Sequence, residues 1–341
     1  MTSTTPVGRT AAGFEHELTI PWWQRAWRGL RGSAPIFVIL LGLLVWITIR
    51  NPNFTDPPVF LAFLKRAAPL MILAAGQLFV IISGEFDLSV GALITAVVVA
   101  AAGLTEGDPD RTWWVIALLF GLGAAVGLIN GLVTTRLHVP SFITTLGMLL
   151  ILQGAVLFWS GGAPRGSLPE NFREFGRRGF EGVPVIEQLP YSVIVLVVFG
   201  IAAVVVLHWT TFGKQLVAAG GNPRAAALSG VAVPLVRTIA FILSGVSAVV
   251  AGILVGGFAG ISQDAGAGYE FQAISAVVLG GAALGGGRGA MVAAMAGALT
   301  LEALFTLLNL LGLPKPFRDA VQGLIIIGAV AFAAYRLRQS R

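Results

Sequence analysis

Residues 113–135 read Trp-Trp-Val-Ile-Ala-Leu-Leu-Phe-Gly-Leu-Gly-Ala-Ala-Val-Gly-Leu-Ile-Asn-Gly-Leu-Val-Thr-Thr, an uncharged run closed by Arg111 on one side and Arg136 on the other. Coiled as an α-helix at about 1.5 Å per residue, it reaches roughly 34 Å, more than the roughly 30 Å of a bilayer's hydrocarbon core. The run has no polar face that could meet water, so it predicts a membrane-crossing helix. Similar apolar runs recur along the chain. Together they give ten candidate spans, at about 34–49, 67–83, 90–104, 113–135, 141–159, 191–209, 238–260, 271–286, 290–312 and 320–335. The third and eighth are short, and glycine interrupts others, which suits broken or re-entrant helices covered by protein.

Composition supports this reading. Of 341 residues, 56% are hydrophobic and 11% charged, against about 25% charged in soluble domains; the mean hydropathy is +0.86. A water-soluble domain of this size could not cover its surface. The expected fold class is therefore an all-α polytopic membrane protein with about ten transmembrane helices and both termini cytoplasmic. The orientation follows from charge. Alternating the loops from a cytoplasmic N-terminus puts Arg9, Arg25, Arg28, Arg31, Arg136, Lys214, Arg224, Arg237, Arg288, Arg336, Arg338 and Arg341 inside. Fewer cations fall outside, and four of them (Arg165, Arg173, Arg177 and Arg178) share the long 160–190 loop, so the positive-inside rule is met. The net charge of +6 thus reports cytoplasmic loops facing membrane lipid rather than nucleic acid. Three units follow: a tail at 1–33, a single membrane domain at 34–336, and a basic tail at 337–341. The stretch 21–31 carries Trp23, Trp27 and Leu30 on one face and Arg25 and Arg28 off it, as an interfacial helix does.

Several chemistries are missing. There are no cysteines, and His16, His138 and His208 are scattered, so no catalytic metal, redox or nucleophile pattern emerges. No phosphate-binding loop occurs; Gly213-Lys214 is followed by Gln215. The chain is expected to be no enzyme and to bind no cofactor itself. What it does contain is 44 glycines, many at four-residue spacing: Gly123, Gly127 and Gly131; Gly252, Gly256 and Gly260; Gly281, Gly285 and Gly289. Such stripes let helices approach closely in lipid. The predicted spans also hold Gln77, Asn130, Thr144, Thr145, Gln153, Ser244, Ser247, Gln272, Ser275, Glu302, Asn309 and Gln322. Serine and threonine can bond back to their own helix, whereas amides and carboxylates carry more valences to satisfy. Gln77, Asn130, Thr144, Thr145, Gln153, Glu302 and Asn309 are the candidate lining of a solute pathway. The amides read equally well as interhelical clamps. Glu302, the one carboxylate deep in a predicted span, reads as a proton site, an ion-pair member, or a group bonded to neighbouring side chains.

Residues 82–91, Ile-Ser-Gly-Glu-Phe-Asp-Leu-Ser-Val-Gly, resemble the Gly-Gly-Ile-Asp-Leu-Ser-Val-Gly signature of permease subunits from bacterial ATP-binding-cassette sugar importers of the ribose type. Asp87, Ser89 and Gly91 carry the match, and Glu85 stands where the second glycine is usual. Three more segments resemble the same family in the same order: 139–147 (Val-Pro-Ser-Phe-Ile-Thr-Thr-Leu-Gly), 219–231 (Ala-Gly-Gly-Asn-Pro-Arg-Ala-Ala-Ala-Leu-Ser-Gly-Val), and 274–281 continuing to Gly286-Gly287-Arg288-Gly289. The resemblance implies a partner ATPase subunit that binds ATP and Mg, an extracytoplasmic sugar-binding protein, and a second permease subunit, identical or paralogous, in a bacterial cytoplasmic membrane. It also implies a cytoplasmic ATPase-coupling loop at about 210–237, with Lys214, Asn222, Pro223, Arg224, Ala225, Ala226 and Gly230 as its candidate residues. Asn222 is placed to cap a short Ala-rich helix that Gly230 ends. Arg224 replaces the glutamate usual in that loop. Asp87 reads as a cap of the following span, and with Glu85 as a pH-sensitive pair or a solvated cytoplasmic turn. A nucleoside or branched-chain amino-acid permease, and an ion-coupled secondary transporter using Glu302, remain as alternative readings.

Overall fold

The computed structural model describes residues 22–314 apart from 164 and 185, and eight residues between 316 and 328; side chains are described from residue 34 onward. Of the expected tenth span only residues 320, 321, 323, 324, 327 and 328 are described, all of them helical. Gln322, the rest of that span, the side-chain face of Trp23, Trp27 and Leu30, the tail before residue 22 and the terminal basic tail lie outside the described residues.

The described chain is a helical bundle. Its helices are α1 (Trp22–Arg50), α2 (Pro57–Ile82), α3 (Val90–Thr105), α4 (Thr112–Arg136), α5 (Ser141–Ser160), α6 (Glu170–Arg177), α7 (Tyr191–Trp209), α8 (Thr211–Gly221), α9 (Pro223–Leu228), α10 (Val233–Ala259), α11 (Tyr269–Leu279) and α12 (Met291–Leu310). Six of these, α2, α4, α5, α7, α10 and α12, are long and apolar enough to cross a membrane; Ala34–Arg50, α3 and α11 are shorter apolar helices. Helix starts follow local chemistry. Asn51-Pro52 opens a short 3-10 turn, and Pro57 sits in the first turn of α2, where its missing N–H costs nothing. As a result α2 begins ten residues before the apolar run at 67.

The core sits around α10, which packs against α2, α3, α4 and α6. From Leu88 to Val99 every residue is buried, so the first ten residues of α3 have no solvent- or lipid-facing side. The α4–α10 seam is made by glycines facing backbone. A Cβ on Gly131 would come within 2.7 Å of the Thr238 Cα, and one on Gly127 within 2.7 Å of the Ile242 Cα. The stripe at 123, 127 and 131 is thus a close helix–helix contact.

The stripe at 281, 285 and 289 is not. Helix α11 stops at Leu279 rather than running to 286, because Gly280 is followed by Gly281 at φ +85°, a conformation that ends a helix. Those glycines therefore lie in a connecting loop, and Gly260 is likewise a turn residue at φ +82°. A second departure is the 160–190 loop, which has structure of its own. It forms α6 and a hairpin of β1 (Gly179–Val183) and β2 (Glu187–Pro190), antiparallel, with Phe180 opposite Leu189. The bundle therefore carries one small sheet beside its helices. Phe172 of α6 is fully buried in the core, and Gly176 lies against Leu254 and Gly257 of α10. The Lys65 ammonium on α2 donates to the Arg177 carbonyl at 2.9 Å, which gives that cation a partner on a largely apolar helix.

Candidate functional site

The signature at 82–91 forms a break inside the bundle. Helix α2 ends at Ile82, residues 85–89 run without helix, and α3 starts at Val90. Asp87 lies at the centre and is 1% exposed. Its Oδ1 accepts from the Ser89 amide at 3.0 Å and the Ser89 hydroxyl at 2.6 Å; its Oδ2 accepts from the Ser244 hydroxyl of α10 at 2.9 Å. The Asn130 amide of α4 donates to Ser89 Oγ at 2.9 Å. Ser244 stands eleven residues into α10, about 16 Å from its start at the standard helical rise. The carboxylate is thus buried among helices, and Asp87 belongs to no solvated turn. Its contact with the Ser89 amide falls just before the helix, and Ser89 itself occupies the N-cap position. Glu85 is engaged separately, its Oε1 2.8 Å from Nη1 of Arg237, the fifth residue of α10.

A second broken element meets the first. After α10 ends at Ala259, the chain turns back so that Gly266 lies against Gly91 and Ile94, and its N–H donates to Thr95 Oγ1 at 3.0 Å. Helix α11 then leaves in the opposite direction with the buried Glu270 in its first turn, and the Glu270 carboxylate lies against Gly91. Helices α3 and α11, of 16 and 11 residues, are each too short to span a bilayer. Each starts within the bundle beside a buried acid, where free N–H groups and the helix dipole favour negative charge. Glu270 was not legible as a buried group, because the apolar run was read from 271 and placed it outside.

The four signature segments, far apart in sequence, converge. The Phe86 amide donates to Ser141 Oγ at 3.1 Å, and Thr145 Oγ1 donates to the Phe86 carbonyl at 3.4 Å, joining the first segment to the second. The Gly287 amide donates to the Ile82 carbonyl at 2.8 Å, joining the fourth to the first. Gly220 of the third packs on both: a Cβ there would overlap the Ile82 carbonyl and come within 2.7 Å of the Gly287 nitrogen. Next to this junction the Asn222 side chain accepts from the Ala225 amide at 3.0 Å and caps α9, and Gly230 follows at φ +85°. Lys214, Asn222, Pro223, Arg224 and Ala225 are exposed, while Ala226 is buried. Leu228, which lies in the quoted segment but is not one of its candidate residues, is 91% exposed on the same short helix.

The seven pathway candidates do not gather in one place. Gln77 and Asn130 are fully buried, and neither amide end of Gln77 nor the Asn130 Oδ1 has a partner among the described residues. Thr145 bonds back to the Ser141 carbonyl at 2.8 Å. Thr144, part-buried one position before, has no partner for its hydroxyl among the described residues. Gln153 is exposed on α5 among the exposed Leu150, Ile151, Leu157 and Phe158, and Asn309 is exposed near the end of α12. Glu302 lies 3.9 Å from Arg66 of α2, an ion-pair geometry.

Helices broken inside a bundle, non-helical backbone buried within protein, and an apolar exterior together define a multi-pass membrane transport protein. The chain belongs to the permease family described as "Branched-chain amino acid transport system / permease component", whose model matches residues 59–330. It is 37% identical over 299 residues to the ribose import permease protein of Bacillus subtilis, covering 86% of this chain and 90% of that one. The ribose import permease protein of Escherichia coli is 35% identical over 311 residues, covering 91% and 95%. The L-arabinose transport system permease protein of Escherichia coli is 36% identical over 311 residues, covering 90% and 92%. No solved structure matches the chain.

Proposed function

We propose that this chain is the membrane-spanning subunit of an ATP-driven importer that moves a monosaccharide across the bacterial cytoplasmic membrane by alternating access. The observation that carries the reading is the 35–37% identity to permeases named for ribose and for L-arabinose, extending over nearly the whole of both chains. The family description mentions branched-chain amino acids, but these sugar relatives are what favour a pentose- or hexose-like solute. The chain performs no chemistry. ATP and Mg act on a separate ATPase chain, and an extracytoplasmic sugar-binding protein delivers the solute.

In this reading ten membrane segments keep both termini in the cytoplasm: α3 and α11 are broken segments that do not cross the bilayer alone, and the tenth lies at about 320–335. The α8–α9 segment is then cytoplasmic and docks on the ATPase through Leu228 and Arg224. Its glycine contacts with the 82–84 and 285–287 segments carry ATPase closure to the two broken helices, shifting the population between outward- and inward-facing arrangements. The α5 face bearing Gln153 packs on a second permease subunit, since an amide facing lipid would be costly. Weak solute contacts suffice inside the pathway, because the binding protein supplies selectivity.

The test is to purify the chain from its native membrane in mild detergent, identify co-purifying proteins, and reconstitute them in liposomes with D-ribose, L-arabinose and L-leucine as solutes. ATP-dependent sugar uptake that needs a stoichiometric ATPase chain supports the reading. Uptake by the chain alone, driven by a proton or sodium gradient, overturns it.

A further inference from the structure

At the end of the bundle opposite α8 and α9, a cavity of about 200 Å³ opens between the last turn of α3, the last turn of α5 and the strand of chain after it. By the roughly 30 Å³ that one water occupies, this is room for about seven waters, the scale of a single sugar ring. Its lining is chemically mixed. Val99 and Gly103 form an apolar wall; Glu106, Ser160 and Arg165 supply a carboxylate, a hydroxyl and a guanidinium; Trp159 supplies an indole that is 60% exposed.

Two details show how the lining is held. The Trp159 indole nitrogen lies 3.2 Å from where a Gly103 Cβ would stand, so the ring is seated against α3 because residue 103 is glycine. The Ser160 hydroxyl accepts from Gln263 Nε2 at 2.9 Å. Gln263 belongs to the same turn that brings Gly266 onto Gly91 and leads into α11. The cavity is therefore tied by one hydrogen bond to the broken helices within the bundle.

We infer that this cavity is an entry subsite for one neutral sugar ring, stacked on the Trp159 face with its hydroxyls between Glu106 and Arg165. An indole offers flat apolar area for the C–H face of a sugar. A carboxylate accepts hydroxyl protons and a guanidinium donates to hydroxyl oxygens, so together they serve a group that is both donor and acceptor. Their opposite charges leave the lining without the net positive field that a phosphate or carboxylate ligand would call for. Glu106 is additionally held by Arg111 at 3.4 Å, while Arg165 forms no ion pair among the described residues. The subsite rests on the sugar-import reading and adds to it a place where solute waits before the broken helices part. A tryptophan serving only as an interfacial membrane anchor would not need the Glu106 and Arg165 side chains around it.

The experiment is saturation-transfer NMR of the purified importer complex in lipid nanodiscs with D-ribose, L-arabinose and L-leucine, on the wild type and on W159A, W159F, R165Q and E106Q. The expected result is transfer to the ring protons of at least one sugar, kept in W159F and weakened at least tenfold in affinity in W159A, R165Q and E106Q, with none for leucine. Trp159 is exposed, so W159A should stay folded; the two charge variants test the site independently if it does not. Unchanged sugar transfer in W159A, R165Q and E106Q overturns the subsite, as does absence of transfer for both sugars or transfer for leucine alone. ATP-driven uptake by the wild type is scored separately: sugar import without transfer at this cavity removes the subsite alone, whereas absence of sugar import removes the reading beneath it.

Discussion

Asp87 accepts three hydrogen bonds from two residues and has no access to water, so its value is set by what would be left behind without it. Asp87→Ala strands the Ser89 amide, the Ser89 hydroxyl and the Ser244 hydroxyl in the protein interior, at about 1–3 kcal/mol for each buried group left unmade. We expect a marked fall in melting temperature in detergent. Asp87→Asn should be milder, because the Ser244 hydroxyl can rotate to accept from the new amide. Equal melting temperatures for the two variants would show that the network does not anchor the break. Gln77 is the converse case, a buried amide with no partner among the described residues. Gln77→Leu removes that burden, so thermal stability should hold or rise while ATP-driven uptake falls at least tenfold if the amide serves solute. Unaltered uptake would leave Gln77 outside the pathway. Glu302, whose side chain is 21% exposed, lies 3.9 Å from the half-exposed Arg66, so its carboxylate has an ion-pair partner and is not left free for coupling. Glu302→Gln is therefore expected to keep uptake within about twofold; complete loss would return the question to ion coupling.

At the scale of elements, most of the fold was legible because lipid-crossing helices announce themselves by uncharged length. The runs read at 113–135, 141–159 and 191–209 match α4, α5 and α7 to within a residue at either end. What the sequence hid was the end of α11, where a glycine pair breaks an apolar run that hydropathy alone would continue, and the ordered α6 and hairpin, whose stability comes from long-range contacts such as Phe172 in the core. The candidate site was legible only as segments. The Asp-Leu-Ser-Val-Gly run was visible, but its partner Ser244 lies 157 residues away, a pairing that one sequence does not encode locally. The glycine stripes were similarly ambiguous, and substitution separates a stripe member at the seam from a glycine of the same helix that lies off it. Gly127→Ala drives a methyl into the α10 backbone and should lower the melting temperature. In Gly121→Ala the methyl meets nothing within 4 Å, so stability should rise by up to about 1 kcal/mol, the helix-propensity difference between the two residues. Identical melting shifts for the two would mean that the seam yields freely.

For the whole molecule, the decisive prediction concerns the exposed stub α9. Leu228 is 91% exposed and contributes little to packing within the chain, so Leu228→Asp should leave expression and melting unchanged. In the reconstituted importer it should reduce sugar uptake at least tenfold and lower the stimulation of ATP hydrolysis by the loaded binding protein. Full uptake in this variant would place the ATPase contact elsewhere on the surface. Behind α9, the segments around Ile82, Gly220 and Gly287 touch backbone to backbone, with no side chain between them to bend or change rotamer. A joint of this kind has no backlash. A displacement of α8 larger than a few tenths of an ångström must appear at once in the chain leading to Asp87 and in the loop leaving α11. A stroke at one end of the molecule would then reach two half-helices of opposite sense in a single step.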